Sequence, residues 1–274
     1  MHLQDVKYEY LSVDFYLSKS CNKSCYYCTA WTLEMRNLEV DLDFLKYTLE
    51  CFKGHKTLIQ LLGGEPGLIK NLKEVVDMIK EYPEFKVSIL SNSLIRRKHP
   101  WVLEDPEIYY QEHLVLDFHE DKIEKLGNYD FFTKNNLNNY NIIIKTPGYF
   151  QYEKNFEISD KINHDNTFLK PYNSRSPSYD ITKQESLLTR KICSKFPMVP
   201  VIDFEIKKLR HCSKKFIDGS RHFDITPENI HKMMTFELFE FESYCDTCTE
   251  TIKFGPKDEG RVLKIMDRML IDAE

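Results

Sequence analysis

Apolar residues along the first 170 or so positions follow two alternating rhythms. Short runs rich in β-branched and aromatic residues, Val13 to Ser20, Thr57 to Leu62 and Lys86 to Ser93, have the length and flanks of buried strands. Between them, Asp41 to Phe52 carries Leu42, Leu45, Leu49 and Phe52 at helical spacing, with Asp41 placed to cap the start. Cys51 falls in this helix and reads as a small apolar residue near the core. Asn71 to Ile79 repeats the pattern with Leu72, Val75, Val76 and Ile79. Further strands over Leu114 to Glu120, Asn141 to Gly148 and Thr167 to Tyr172 bring the count to six, with polar residues at their carboxyl ends. This alternation predicts an α/β fold whose parallel strands present ligand groups at their carboxyl edge.

Past position 150 the rhythm changes. Gln151 to Lys191 is rich in Asn, Ser, Lys and Tyr and reads as a long connection leaving the sheet, with Arg175 a solvated loop residue. Met198 to Arg210 contains Val199, Val201, Ile202, Phe204, Ile206 and Leu209 and predicts a strand pair. Thr226 and Pro227 open a helix as cap and first residue, and Lys257 to Ala273 carries Val262, Ile265, Met266, Met269 and Leu270 on one helical face.

Bulk properties narrow the class. The chain has 274 residues, 42% hydrophobic and 30% charged, enough to bury a sizeable core. No stretch approaches the ~18 consecutive apolar residues of a membrane span, and Met1 to Tyr10 lacks the layout of a signal peptide. A soluble, cytoplasmic protein is expected. The net charge of −5 argues against wholesale, sequence-independent capture of nucleic acid. Eight cysteines in such a chain point to metal ligation rather than disulfides.

Their spacing carries the chemistry. Cys21-Asn-Lys-Ser-Cys25-Tyr-Tyr-Cys28 places three thiolates in one loop directly after the first strand. Three cysteines on a four-iron cubane leave one iron open to an exogenous ligand, whereas a zinc site would draw a fourth ligand from elsewhere. The second strand ends in Gly63-Gly64-Glu65-Pro66, where glycine allows close backbone approach and proline stiffens the exit. A zinc knuckle needs no such partner.

CxxxCxxC after a first strand, followed by GGEP after a second, resembles the radical S-adenosylmethionine superfamily. The resemblance implies a partial (β/α)6 TIM-like barrel. It makes Cys21, Cys25 and Cys28 the ligands of a catalytic [4Fe-4S] cluster whose open iron is chelated by S-adenosylmethionine. It places Tyr27 near the adenine, Gly63 to Pro66 on the methionine ammonium, and Ser91, Asn92 and Asp117 on the ribose or carboxylate. Tyr27 also fits ordinary packing, and Asp117 a strand-end cap. His119, Glu120 and Lys145 are candidates to face substrate as proton acceptors or charge partners. An external electron donor such as flavodoxin or ferredoxin is implied.

Cys193, Cys212, Cys245 and Cys248 form a second group, and this layout resembles the twitch domain, a short relative of the SPASM domain that holds one auxiliary [4Fe-4S] cluster. The implied organisation is a barrel over residues 1–180, a small β-hairpin plus helix cluster-binding domain over 181–255, and a docking helix over 256–274. Four thiolates would leave no open iron and favour electron transfer, while a structural zinc fits the same four ligands. The parts suit net oxidation, such as dehydrogenation of a small molecule. Peptide cross-linking or epimerisation would use the same parts, and a zinc-stapled binding protein is the reading of another class. Few residues precede Cys21, so no leader-peptide-binding extension is expected within this chain.

Overall fold

The computed structural model describes residues 10–23, 38–115, 140–145, 167–170, 191–193, 200–210, 222–234 and 251–253. Six strands run parallel in chain order: β1 (Leu11–Tyr16), β2 (Thr57–Leu62), β3 (Phe85–Ser91), β4 (Ile108–Val115), β5 (Tyr140–Lys145) and β6 (Thr167–Lys170). Helix α1 (Leu42–Phe52) joins β1 to β2, and α2 (Leu72–Lys80) joins β2 to β3. Two short helices, α3 (Leu94–Lys98) and α4 (Trp101–Glu104), lie between β3 and β4. The α/β class and the parallel sheet expected of a partial barrel are therefore present. Among the described residues no ladder joins β6 back to β1.

The two helices expected between the first three strands form for the expected reasons. The Asp41 side chain accepts from Phe44 N at 3.0 Å, satisfying one orphan donor of the first turn of α1. Leu45, Leu49 and Phe52 of α1 and Leu72, Val75, Val76 and Ile79 of α2 are wholly buried. They cover Val13, Phe15, Ile59, Leu61, Val87 and Ile89, which strand alternation sends to one face of the sheet. Each such apolar side chain contributes about 1.5–3 kcal/mol by leaving water. Cys51 is buried with them, as expected of a small core residue, and burial pushes its thiol pKa up.

The opposite face carries a polar row. Gln60 Nε2 donates to Asp14 Oδ1 at 3.2 Å, and Gln111 Nε2 donates to Gln60 Oε1 at 3.0 Å and to Ser88 Oγ at 2.6 Å. Four neighbouring strands, β1 to β4, thus exchange side-chain hydrogen bonds beneath the carboxyl edge. This row explains why the strands read as less uniformly apolar than a fully dry sheet.

One strand differs from its expected position. The strand expected over 114–120 begins at Ile108, and its described part ends at Val115. Ile108 and Tyr110 alternate on the helix side, but the polar run Gln111-Glu112-His113 interrupts the apolar signal.

The strand pair expected near 198–210 is present as β8 (Val201–Asp203) and β9 (Lys208–Arg210), antiparallel to each other. Its location was not legible: β8 adds to the main sheet parallel to β1, with Asp14, Phe15 and Tyr16 opposite Val201, Ile202 and Asp203. A separate two-stranded ladder pairs β7 (Lys191–Cys193) with β10 (Thr251–Lys253). Helix α5 (Pro227–Met234) starts with Thr226 Oγ1 accepting from Asn229 N at 3.1 Å, the cap expected of it. The helix expected over 257–273 and residue Arg175 lie outside the described residues. No described helix is long and apolar enough to cross a membrane.

Candidate active site at the carboxyl edge of the sheet

Beyond Tyr16 the β1 chain continues as Leu17 to Lys23 alongside the turn that follows β2. Leu17 N donates to Leu62 O at 2.9 Å, Gly64 N to Ser18 O at 2.7 Å, and Glu65 N to Ser20 O at 2.9 Å. The two backbones meet so closely that side chains are excluded. A Cβ on Gly64 would stand 2.1 Å from Ser20 O and 2.5 Å from Lys19 O, and one on Gly63 would stand 2.4 Å from Ser18 O. Gly63 also holds φ at 147°. The paired glycines therefore serve first to bring the β2 turn against the chain leading into Cys21.

Glu65 locks a third segment to these two. Its carboxylate is buried, 2% exposed, and Oε1 accepts from Gly67 N at 2.8 Å and from Ser91 Oγ at 2.7 Å. Oε2 accepts from Asn92 N at 2.7 Å. Burial raises the Glu65 pKa, and the hydrogen bonds from Asn92, Ser91 and Gly67, with the charge of Lys23, oppose that rise. Pro66 opens a tight helical turn, Pro66–Leu68, that presents the Gly67 amide to the carboxylate.

Asn92 reaches across to the cysteine loop. Its Nδ2 donates to Cys21 Sγ at 3.5 Å and to Asn22 Oδ1 at 3.0 Å. Lys23 contributes a second contact to the sulfur through its backbone N at 3.4 Å, and its Nζ donates to Asn92 O at 3.2 Å. Asn92 Oδ1 is buried and meets no hydrogen-bond donor among the described residues. The next residue, Ser93, sits in the left-handed region at φ 84°, which turns the chain sharply into α3.

Behind this edge lies a buried ion pair that the sequence did not announce. Glu112 is the register partner of Ser91 and is fully buried. Arg96 faces it side-on, Nε to Oε2 at 2.9 Å and Nη2 to Oε1 at 3.0 Å, while Tyr110 OH donates to Oε2 at 2.8 Å. Burial raises the Glu112 pKa, with the Arg96 charge opposing it, and raises that of Tyr110 well above the ordinary phenol value.

Of the residues singled out from sequence, Cys21, Gly63, Gly64, Glu65, Pro66, Ser91 and Asn92 thus come together on three adjacent strand ends. Ser91 turns toward Glu65 rather than standing open for a ligand. Lys145 ends β5, and Cys193 ends β7 opposite Thr251. Cys25, Tyr27, Cys28, Asp117, His119, Glu120, Cys212, Cys245 and Cys248 lie outside the described residues. Sequence reading missed Lys23, Arg96, Glu112 and Glu205. The first three are ordinary charged residues whose importance comes only from burial or neighbours.

A parallel sheet thus gathers Cys21, a glycine turn and a buried acid at its carboxyl edge, where α/β folds hold their ligands. Residues 15–147, just under half of the chain, match the family model of the Radical SAM superfamily, a family that implies a [4Fe-4S] cluster and S-adenosylmethionine. Among solved structures, Streptococcus suis SuiB bound to S-adenosylmethionine is similar at 17% identity and a TM-score of 0.47, over 69% of this chain and 47% of that one. SuiB bound to the precursor peptide SuiA is similar at 16% identity and a TM-score of 0.47, over 65% and 45%. The chain thus spans about half the length of SuiB. BtrN in an open conformation is similar at 16% identity and a TM-score of 0.44, over 88% of this chain and 95% of that one. No curated protein matches the chain.

Proposed function

We propose that this protein is a radical S-adenosylmethionine oxidoreductase acting on a small molecule. Cys21, Cys25 and Cys28 hold a [4Fe-4S] cluster with one open iron. When bound, the reduced cluster and S-adenosylmethionine supply a 5′-deoxyadenosyl radical that takes hydrogen from an unactivated carbon of the substrate. The observation that carries this reading is the backbone seam between Ser18 to Ser20 and Gly63 to Glu65, which sets Cys21 beside the glycine turn.

The described residues fit such a group. Lys23 N and Asn92 Nδ2 offer hydrogen bonds to the Cys21 sulfur, the kind of contact that stabilises cluster thiolates. Asn92 Oδ1, buried and unmet by any described donor, suits an ammonium or hydroxyl of a bound ligand. Glu65 holds the Gly67, Ser91 and Asn92 segments in register and keeps accepting capacity on Oε2. Tyr27 and Asp117 are assigned to the same ligand, and His119, Glu120 and Lys145 to substrate.

Cys193, Cys212, Cys245 and Cys248 are assigned to an auxiliary [4Fe-4S] cluster that accepts the electron left on the substrate, completing a net oxidation. Supporting this, β7 and β10 set Cys193 opposite Thr251, three positions beyond Cys248 and so within about 10 Å of chain reach. An external flavodoxin or ferredoxin would reduce the first cluster.

Anaerobic purification with iron, sulfide and zinc analysis tests the reading. About eight irons per chain are expected for two cubanes. Stoichiometric zinc without iron would overturn it. With reductant, wild-type protein should release 5′-deoxyadenosine from S-adenosylmethionine, and Cys25→Ala should not.

A further inference from the structure

The chain from Leu17 to Cys21 has two flanks, and only one faces the glycine turn. On the other side β8 runs parallel to β1 and then turns away after Asp203. Phe204 N still donates to Tyr16 O at 3.0 Å. One residue further, a side chain takes over from the backbone: Glu205 Oε1 accepts from Lys19 N at 2.7 Å and from Ser18 Oγ at 3.4 Å. Its Oε2 lies 3.7 Å from Lys19 Nζ.

Glu205 is itself held. Asp203 Oδ1 accepts from Glu205 N at 3.0 Å and from Ile206 N at 3.2 Å, closing the turn between β8 and β9. The other Asp203 oxygen pairs with Arg210 at the end of β9, and both side chains are buried. The hairpin is thus braced internally, and its braced turn is what grips Ser18 and Lys19.

We propose that Glu205 is a positioning residue for Cys21. With Gly64 and Glu65 on one flank and the Glu205 carboxylate on the other, the segment entering the cysteine loop is held from both sides two residues before the thiol. In sequence, Cys212 follows Arg210 by two positions. The functional meaning rests on the reading of Cys21 as a cluster ligand.

The test is pulse alkylation of the full-length chain, purified anaerobically and challenged with an iron chelator, in wild type, Glu205→Ala and Glu205→Gln. Trypsin releases Cys21 alone in the peptide Ser20 to Lys23, and Cys51 alone in Tyr47 to Lys53. Cys51 is buried in α1 and reports general loosening of the fold. Losing one charge-assisted hydrogen bond at the loop should speed Cys21 labelling about tenfold in Glu205→Ala. Cys51 labelling and the thermal midpoint should stay at wild-type values. Glu205→Gln keeps a side-chain oxygen for Lys19 N and should label within about twofold of wild type. Equal Cys21 rates in wild type and Glu205→Ala would overturn the inference, as would a parallel rise at Cys51. Iron and sulfide assayed on the same wild-type sample separate the two readings. Equal labelling with iron present removes only the role of Glu205, whereas absent iron removes the cluster assignment and with it the functional meaning.

Discussion

Asn92 Nδ2 donates to Cys21 Sγ at 3.5 Å across a separation of 71 residues, so the end of β3 supplies a hydrogen bond to a cysteine of the β1 loop. Hydrogen bonds to cluster sulfurs stabilise the reduced, more negative state and raise the potential. On the proposed assignment of Cys21 as a cluster ligand, Asn92→Ala should therefore shift the potential of that cluster to more negative values. A bond worth about 0.5–1.5 kcal/mol corresponds to roughly 20–60 mV for a one-electron couple. Redox titration followed by electron paramagnetic resonance measures it, and an unchanged potential would show that the contact does not tune the cluster.

Gly64→Ala should be poorly tolerated. The added Cβ would meet backbone carbonyls of Ser20 and Lys19, which cannot rotate out of the way. A loss of about 3 kcal/mol is expected in urea unfolding, together with loss of bound iron. Gly54→Ala makes the contrast: its φ is positive, at 88°, but no atom lies within 4 Å of the new Cβ. It should cost only about 1–2 kcal/mol, the backbone term alone.

The buried pair behind the site gives a third expectation. Arg96→Met leaves Glu112 without its cation and should destabilise the fold by about 3–5 kcal/mol. Adding Glu112→Gln should restore much of that loss, because the uncompensated charge goes with it. A double-mutant cycle by chemical denaturation reads the coupling, and additive effects would rule it out.

A pH effect follows from His55. Burial, and then the neighbouring His231 with ring centroids 6.2 Å apart, hold the His55 pKa below the ordinary 6.5. Because the unfolded chain then binds the proton more readily, this contribution to stability is fully present above pH 6.5. It falls as pH drops from 6.5 toward the lowered native value and levels off below that. His99 acts in the same direction, also chiefly through burial. His55→Asn should flatten the decline in unfolding free energy between pH 7.5 and pH 5.5, and in His231→Asn the nuclear magnetic resonance titration of His55 should move back toward 6.5.

Much of the fold was legible because its elements are locally consistent. Thr57 to Leu62 is strand from end to end, and the Asp41 cap forms as the spacing implies. The start of β4 at Ile108 escapes the pattern because Gln111 and Glu112 are buried polar residues satisfied by Ser88, Gln60 and Arg96, partners that no periodicity reveals. The site was legible in outline: Cys21, Gly63 to Pro66, Ser91 and Asn92 do converge. Their division of labour was not. The glycines make room for Ser18 to Ser20 backbone, and Glu65 spends three of its accepting positions on Gly67, Ser91 and Asn92. Glu205 was invisible because its partner Lys19 lies 186 positions away.

That distance also sets an order of events during synthesis. Until the β8–β9 hairpin emerges, β1 presents a bare strand edge, the kind of surface that pairs with other chains. At about 5–20 residues per second, the 186 positions between Lys19 and Glu205 take about 10–40 s to translate. The nascent protein must carry its cysteine loop on an unsealed edge for that whole interval, so the cell's window for misassembly closes only when residue 210 arrives.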